Sequence, residues 1–190
     1  MDLSVISSRL PADRSGRVAV AFRLMMGWIF LTSGLSKLEG GFSYGYASQY
    51  LSKAVPVQTP ELVMSFPEIL GVPGLLLVKL GTFVMEPLLS FFSGLPFIGQ
   101  LVIITELFIG LSLVLGLLTR LGSVTGVFMM IMFYYGNADW GHGLLNADIV
   151  YMAVFISLIV LDAGRTLSLD SYISEKIETD NRILKAFLGV

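Results

Sequence analysis

Long apolar runs separated by shorter polar segments dominate the pattern of hydrophobic positions along the chain. A helix needs roughly 20 residues to cross the hydrocarbon core of a bilayer, and four runs reach that length. They predict membrane-spanning helices over residues 18–37, 99–119, 121–138 and 144–162. The pattern therefore predicts an all-α integral membrane protein, built as a four-helix bundle in a single domain.

The segment between the first two spans, residues 39–98, is too long to be a plain connector. Its most apolar part, Ile69–Phe92, is interrupted by Pro73 and Pro87 and also carries a lysine and a glutamate. We therefore predict an outer cap here, formed by an amphipathic or re-entrant helix rather than by a fifth span.

The distribution of basic residues predicts the topology. Most of them lie before the first span, between the second and third, or after the fourth: Arg9, Arg14, Arg17, Arg120, Arg165, Lys176, Arg182 and Lys185. Four spans place all of these on one side, and basic residues favour the cytoplasm. Both termini are thus predicted to be cytoplasmic, with a tail over residues 163–190 that includes a short amphipathic helix.

Composition supports the membrane assignment and excludes several kinds of chemistry. Of 190 residues, 55% are hydrophobic and 14% are charged, whereas soluble domains carry about 25% charged residues. The net charge of −2 indicates no nucleic-acid partner. With no cysteine and one histidine, the chain has no ligands for an iron–sulfur cluster or a bis-histidine haem. We therefore expect no covalently bound cofactor. A redox centre would be a dissociable small molecule, such as a quinone, or would belong to a partner.

Two ionisable residues lie inside the spans. Glu106 is in the most apolar stretch, Leu101–Leu118, and Arg23 is in the first span. Inserting such a charge costs at least ~2.5 kcal/mol, so charged side chains within spans usually face a protein interior or a polar cavity. The sequence therefore predicts a polar site within the membrane.

Helical spacing extends each of these residues into a stripe along one face. The first stripe is Arg23, Gly27, Phe30, Gly34 and Lys37, and the second is Glu106, Gly110, Leu113, Leu117 and Arg120. Since glycine permits close approach of helices, we predict that the two stripes pack together. Glu106 would then lie ~10 Å along the helix axis from either base of the first stripe. The sequence does not choose between Arg23 and Lys37 as its partner.

These residues form the predicted site. Glu106 is expected to be the catalytic proton acceptor, and Arg23, Lys37, Arg120 and His142 are expected to contact an anion or a quinone oxygen. The alternatives are an ion pair that only fixes helix register and, for His142, a polar turn between spans. Asp139, His142 and Asp148 fit no recognised metal-binding motif, so no metal site is predicted.

Three segments resemble, in order, the signatures of the DoxX/DoxD family. The first is Arg23 followed by Gly27-Trp28-Ile29-Phe30-Leu31-Thr32-Ser33-Gly34-Leu35-Ser36-Lys37-Leu38. The second is Glu106-Leu107-x-x-Gly110-x-x-Leu113-x-x-Gly116-Leu117-x-Thr119-Arg120. The third is Ala163-Gly164-Arg165-x-x-Ser168-Leu169-Asp170. The long segment between the first two spans looks more like the DoxD branch than a minimal DoxX protein.

The resemblance implies a four-helix membrane protein in a redox setting. DoxD-like members are described as the small subunit of an archaeal thiosulfate:quinone oxidoreductase, other members belong to membrane oxidoreductase complexes, and a distant eukaryotic branch assists receptor assembly. We therefore expect a cell-membrane subunit of a quinone-linked oxidoreductase that contacts the lipid bilayer and a partner subunit or a second copy. Whether it is itself an enzyme stays open. The alternatives are a non-catalytic scaffold or assembly factor and a small transporter.

Overall fold

Every regular element that the structure describes is a helix. The computed structural model describes residues 14–40, 81, 83–92, 94–137, 147–165 and 167–176. Within them lie α1 (Arg14–Glu39), α2 (Phe83–Phe92), α3 (Ile98–Leu115), α4 (Thr119–Asn137), α5 (Ala147–Val160) and α6 (Leu169–Lys176). The prediction of an all-α protein is confirmed for these residues.

Two of the described helices are long and apolar enough to cross a membrane, namely α1 over Gly16–Glu39 and α3 over Ile98–Leu115. Helix α5 is apolar but has only 14 residues, and α4, with 19 residues, does not meet the same combination of length and apolarity. The four-span bundle therefore stays a prediction. The outer cap predicted at 39–98 lies mostly outside the described residues. Helix α2 is the one helix described within it.

Helix α3 ends earlier than the apolar run that predicted it. The run continues to residue 119, but the helix stops at Leu115 and residues 116–118 form a turn. Gly116 has a φ of 65° and Leu118 a φ of 54°, values that a right-handed helix does not allow. This turn separates Arg120 from the stripe on α3 and places it in the first turn of α4.

The chain divides into two compact units. One contains residues 1–40, 102–128 and 151–190, and the other contains residues 41–101 and 129–150. In the second unit, the rings of Tyr134 and Tyr135 meet edge to face with centroids 5.3 Å apart, and Gly81 lies against the Tyr135 side chain. Arg23, Lys37 and Glu106 all lie in the first unit.

The first unit buries several polar side chains and exposes some of its large apolar ones. The buried polar residues are Arg23, Glu106, Ser112, Thr119, Ser123 and Asp170. Large apolar side chains on the same helices are exposed, including Trp28 at 65% and Ile104 at 63%. A soluble protein has the reverse preference for its ionisable groups. This distribution is that of helices whose outer faces contact lipid and whose charges face inward.

Glycines on α1 and α3 bring the two backbones together. A β-carbon added at Gly110 would lie 2.5 Å from the backbone nitrogen of Leu31 and 2.7 Å from its α-carbon. One added at Gly27 would lie 2.9 Å from the backbone nitrogen of Val114, and one at Gly34 would lie 2.9 Å from the Leu107 side chain. The predicted packing of the two stripes is confirmed from Gly27 to Lys37 on α1 and from Glu106 to Leu113 on α3, and we call this contact the α1–α3 interface.

We expect Gly110→Ala to destabilise the protein by about 1–3 kcal/mol, the usual cost of overpacking a close contact. The new methyl group would meet backbone atoms of Leu31, so α1 itself would have to move. Gly34→Ala is the matched control, since its methyl group would meet the Leu107 side chain first, at 2.9 Å, and the nearest backbone atom only at 3.2 Å. Thermal unfolding in detergent micelles measures both. Equal losses would mean that the backbone contact at Gly110 does not set the helix separation.

The core of the first unit extends from this interface to α4 and α5. Phe30 packs edge to face on Phe155, with ring centroids 5.2 Å apart. A β-carbon on Gly126 would overlap the Phe155 ring, and one on Gly122 would overlap Ser112. The Gly122-x-x-x-Gly126 spacing on α4 thus permits close packing against α5 at one glycine and against α3 at the other.

Candidate functional site

Lys37, Ser33 and Glu106 form a partly buried polar group that we call the Glu106 cluster. The Lys37 ammonium forms an ion pair with Glu106 Oε1. Ser33 Oγ donates to Glu106 Oε2 at 3.3 Å and accepts from Lys37 Nζ at 3.2 Å. The serine hydroxyl therefore links the lysine and the carboxylate, and both carboxylate oxygens have a donor.

Local helix geometry explains how this cluster forms. Ser33 and Lys37 are four residues apart on α1, so their side chains lie on the same face. Lys37 is in the last turn of α1, where a cation also interacts favourably with the helix dipole. The close approach permitted by Gly34 lets Glu106 on α3 reach this face.

The structure decides between the two candidate bases. Glu106 lies opposite the last turn of α1 and not midway between Arg23 and Lys37, so the expected equal separation of ~10 Å is wrong. Arg23 is about 20 Å further along α1, given a rise of 1.5 Å per residue. The partner of Glu106 is Lys37. The predicted single Arg/Lys/Glu site is instead divided into two clusters.

Arg23 lies in the second of these, the Arg23 cluster, which consists of Arg23, Asp170 and the backbone groups that they bind. The Arg23 side chain is buried and donates from Nη1 to the Ala163 carbonyl at 2.8 Å and from Nη2 to the Leu167 carbonyl at 2.5 Å. It therefore joins α1 to the segment that follows α5.

Asp170 in the same cluster caps α4. Its buried carboxylate accepts hydrogen bonds from the backbone nitrogens of Leu118 at 2.7 Å and Thr119 at 2.9 Å. Its own backbone nitrogen donates to the Gly116 carbonyl at 2.9 Å. A carboxylate at a helix N-terminus satisfies N–H groups that have no partner within the helix. Asp170 supplies this cap from a distant part of the chain, and it also interacts electrostatically with Arg23.

Unusual backbone geometry surrounds the Arg23 cluster. Leu118, Asp162 and Leu167 have φ values of 54°, 46° and 44°, in a region that costs a non-glycine residue roughly 1–2 kcal/mol. Two of the three take part through backbone groups, since the Leu118 N–H binds Asp170 and the Leu167 carbonyl binds Arg23. The hydrogen bonds of the cluster thus hold the turns in these conformations.

The other predicted site residues are not placed in either cluster. Arg120 is exposed in the first turn of α4, because α3 ends before it, so its predicted place on the α3 stripe is wrong. His142 lies outside the described residues. Among the residues that the structure describes, no group of three or more His, Asp or Glu side chains is arranged to hold a metal ion.

Two residues with central roles were not identified from the sequence as site residues. Ser33 is not part of the predicted stripe, but it lies four residues before Lys37 on the same helix, and that spacing was the available signal. Asp170 closes the third motif, Ala163 to Asp170, but was placed in a surface tail. Asp170 lies in the first turn of α6, a position typical of a helix-capping residue, but the helix that it caps is α4.

The Glu106 cluster combines donor and proton-accepting chemistry in one place. Lys37 and Ser33 can donate to a ligand oxygen, and the Glu106 carboxylate can take or release a proton. Because its side chain is 3% exposed while that of Lys37 is 26% exposed, the lysine is the accessible member. Such an arrangement suits a ligand with hydrogen-bond-accepting oxygens.

Two protein families match the chain. The family described as TQO small subunit DoxD matches residues 84–189, and the DoxX family matches residues 18–136. No curated protein and no solved structure matches. The DoxX match includes Arg23, Lys37 and Glu106, and the DoxD match includes Glu106 and Asp170. Since each match covers more than half of the 190 residues, the resemblance is confirmed, and the chain belongs to the DoxX and DoxD families of membrane proteins.

Proposed function

We propose that the protein is a membrane subunit of a quinone-linked oxidoreductase of the thiosulfate:quinone type, and that the Glu106 cluster contacts the quinone. The observation that carries the proposal is the Lys37–Glu106 ion pair between two apolar helices. Buried ion pairs stabilise poorly, since desolvation offsets their attraction. A charged pair kept at this depth is therefore better explained by binding or proton transfer.

The chemistry of the cluster fits a quinone. Each quinone carbonyl accepts hydrogen bonds, and reduction to the quinol takes up two electrons and two protons. Lys37 and Ser33 supply the donors, and Glu106 is the group that exchanges a proton. The electrons come from a partner subunit, as the DoxD description of a small subunit suggests.

Arg23 has a different part in this proposal from the one predicted for it. Its guanidinium binds the carbonyl groups of Ala163 and Leu167, so we assign it to holding the helices in place rather than to contacting the ligand. The basic residues around the start of α1 and after α5 favour cytoplasmic termini. The end of α1 that carries Lys37 would then lie at the outer face.

The decisive variant is Glu106→Gln, which keeps the shape of the side chain but cannot exchange a proton at this position. We expect quinone reduction by the native complex to fall by about 10²-fold or more, the usual contribution of a positioned proton-transfer group. The assay is thiosulfate-dependent reduction of added quinone in native membranes. Glu86→Gln is the matched control, because Glu86 is exposed on α2. Unchanged activity in Glu106→Gln would refute the proposed role.

A non-catalytic scaffold is the second candidate, and the Arg23 cluster favours it. That cluster ties α1, the turn after α3 and the start of α6 together without offering an accessible charge. A scaffold would recover its partner subunits in a pull-down from Glu106→Gln as from the wild type, and respiration would be unaffected.

A further inference from the structure

We infer that the Glu106 cluster is open from one membrane face only, the face reached by the C-terminal end of α1. Ligand and protons reach Glu106 past Lys37, and an apolar layer separates the cluster from the Arg23 cluster near the other face. The inference deepens the proposed function by naming the side of entry. It rests on packing, so its test does not need quinone.

The layer consists of large apolar side chains contributed by three helices. It comprises Met26 and Phe30 on α1, Ile109 and Leu113 on α3, and Phe155 and Leu158 on α5, all buried. These residues occupy the levels between Arg23 and Glu106 along the α1–α3 interface. Apolar interiors without hydrogen-bonding partners stay free of water. A proton therefore has no relay among these six side chains.

The backbone contacts leave little room for a path beside the layer. At Gly27 and Gly110 an added β-carbon would lie within 3.0 Å of atoms on the opposite helix. A buried water molecule needs a cavity of its own and polar partners, and these contacts do not leave room even for one added carbon atom. Two serines near the other end bind backbone groups, since Ser112 donates to the Leu117 and Leu118 carbonyls and Ser123 to the Thr119 carbonyl.

The opposite end of the interface is accessible. The Lys37 side chain is about a quarter exposed, and Ser36 beside it is exposed. From Lys37 the hydrogen bonds lead inward to Ser33 and Glu106. A long, flexible ammonium side chain at a helix end reaches toward the polar interface. Lys37 is therefore the group that links Glu106 to the aqueous phase.

The chain has no native cysteine, so a single introduced cysteine reports one position. Ser33→Cys, nearly isosteric, reports the cluster. Ser36→Cys and Arg165→Cys mark the two ends, since both positions are exposed. Right-side-out and inverted membrane vesicles are treated with a charged, membrane-impermeant methanethiosulfonate, and labelling is read by mass. We expect Ser33→Cys to be labelled only from the face that labels Ser36→Cys, and Arg165→Cys only from the opposite face.

Labelling of Ser33→Cys from the Arg165 face would overturn the inference. So would its failure to react from either face while Ser36→Cys reacts, or labelling of both markers from the same face. Glu106→Cys reports the same cluster from α3 and must give the same result. One-sided labelling without quinone reduction would reject the proposed function alone, whereas quinone reduction with labelling from the Arg165 face would reject the inference alone.

Discussion

Lys37→Met is expected to destabilise the protein by about 3–5 kcal/mol, because it leaves the Glu106 carboxylate in an apolar interior without its cationic partner. Glu106→Leu should cost less. The remaining lysine is already partly exposed, and its long side chain can extend toward the membrane surface. Lys37→Met is expected to cost more than Glu106→Leu because the Glu106 side chain is more deeply buried than that of Lys37. Thermal unfolding in detergent micelles measures both.

The double variant Lys37→Met/Glu106→Leu separates stability from function. Replacing a buried ion pair with apolar side chains of similar volume is often neutral or stabilising, so we expect stability within about 1 kcal/mol of the wild type. Quinone reduction should nevertheless stay as low as in Lys37→Met. A double variant that recovers both stability and activity would show that the pair only fixes the packing of α1 on α3. Additive losses would show that the two side chains do not interact.

Asp170→Asn is the second substitution for which we expect a large loss, again about 3–5 kcal/mol. The amide cannot accept from both Leu118 and Thr119 as the carboxylate does, and it no longer offsets the buried charge of Arg23. The cap of α4 and the connection to α1 weaken together. The measurement is thermal unfolding, accompanied by limited proteolysis between α5 and α6.

Asp162→Asn is the matched control for this substitution. Asp162 pairs with Arg165 at 3.4 Å, but both side chains are much more exposed than Asp170, and exposed pairs contribute less than about 1 kcal/mol. Asparagine also tolerates the left-handed conformation at this position. If the two variants lost equal stability, the buried cap at Asp170 would not be the reason for its effect.

The sequence correctly predicted which residues share a face of the same helix. Helical spacing predicted the two stripes, and their packing is confirmed from Gly27 to Lys37 on α1 and from Glu106 to Leu113 on α3. The choice between Lys37 and Arg23 did not follow. It depends on how far α3 is displaced along α1, and that displacement is set by close contacts such as Gly110 with Leu31.

The Arg23 cluster was not predictable from periodicity, because backbone groups form most of it. The acceptors for Arg23 are carbonyl groups, and the donors to Asp170 are N–H groups in a turn. Every residue has such groups, so no residue pattern marks them. Arg120 was misplaced for a related reason: apolar content predicted a continuous helix where Gly116 and Leu118 adopt positive φ angles.

Because the chain is synthesised from its N-terminus, Arg23 is made well before the groups that it binds in the Arg23 cluster. The Ala163 carbonyl that accepts from Arg23 is separated from it by 140 residues, and ribosomes add roughly 5–20 residues per second. The first span thus reaches the translocon roughly 7–28 s before its binding groups exist, as this elongation rate implies. During that interval the guanidinium has to stay near the lipid headgroups. Final insertion of α1 therefore waits for the last quarter of the polypeptide.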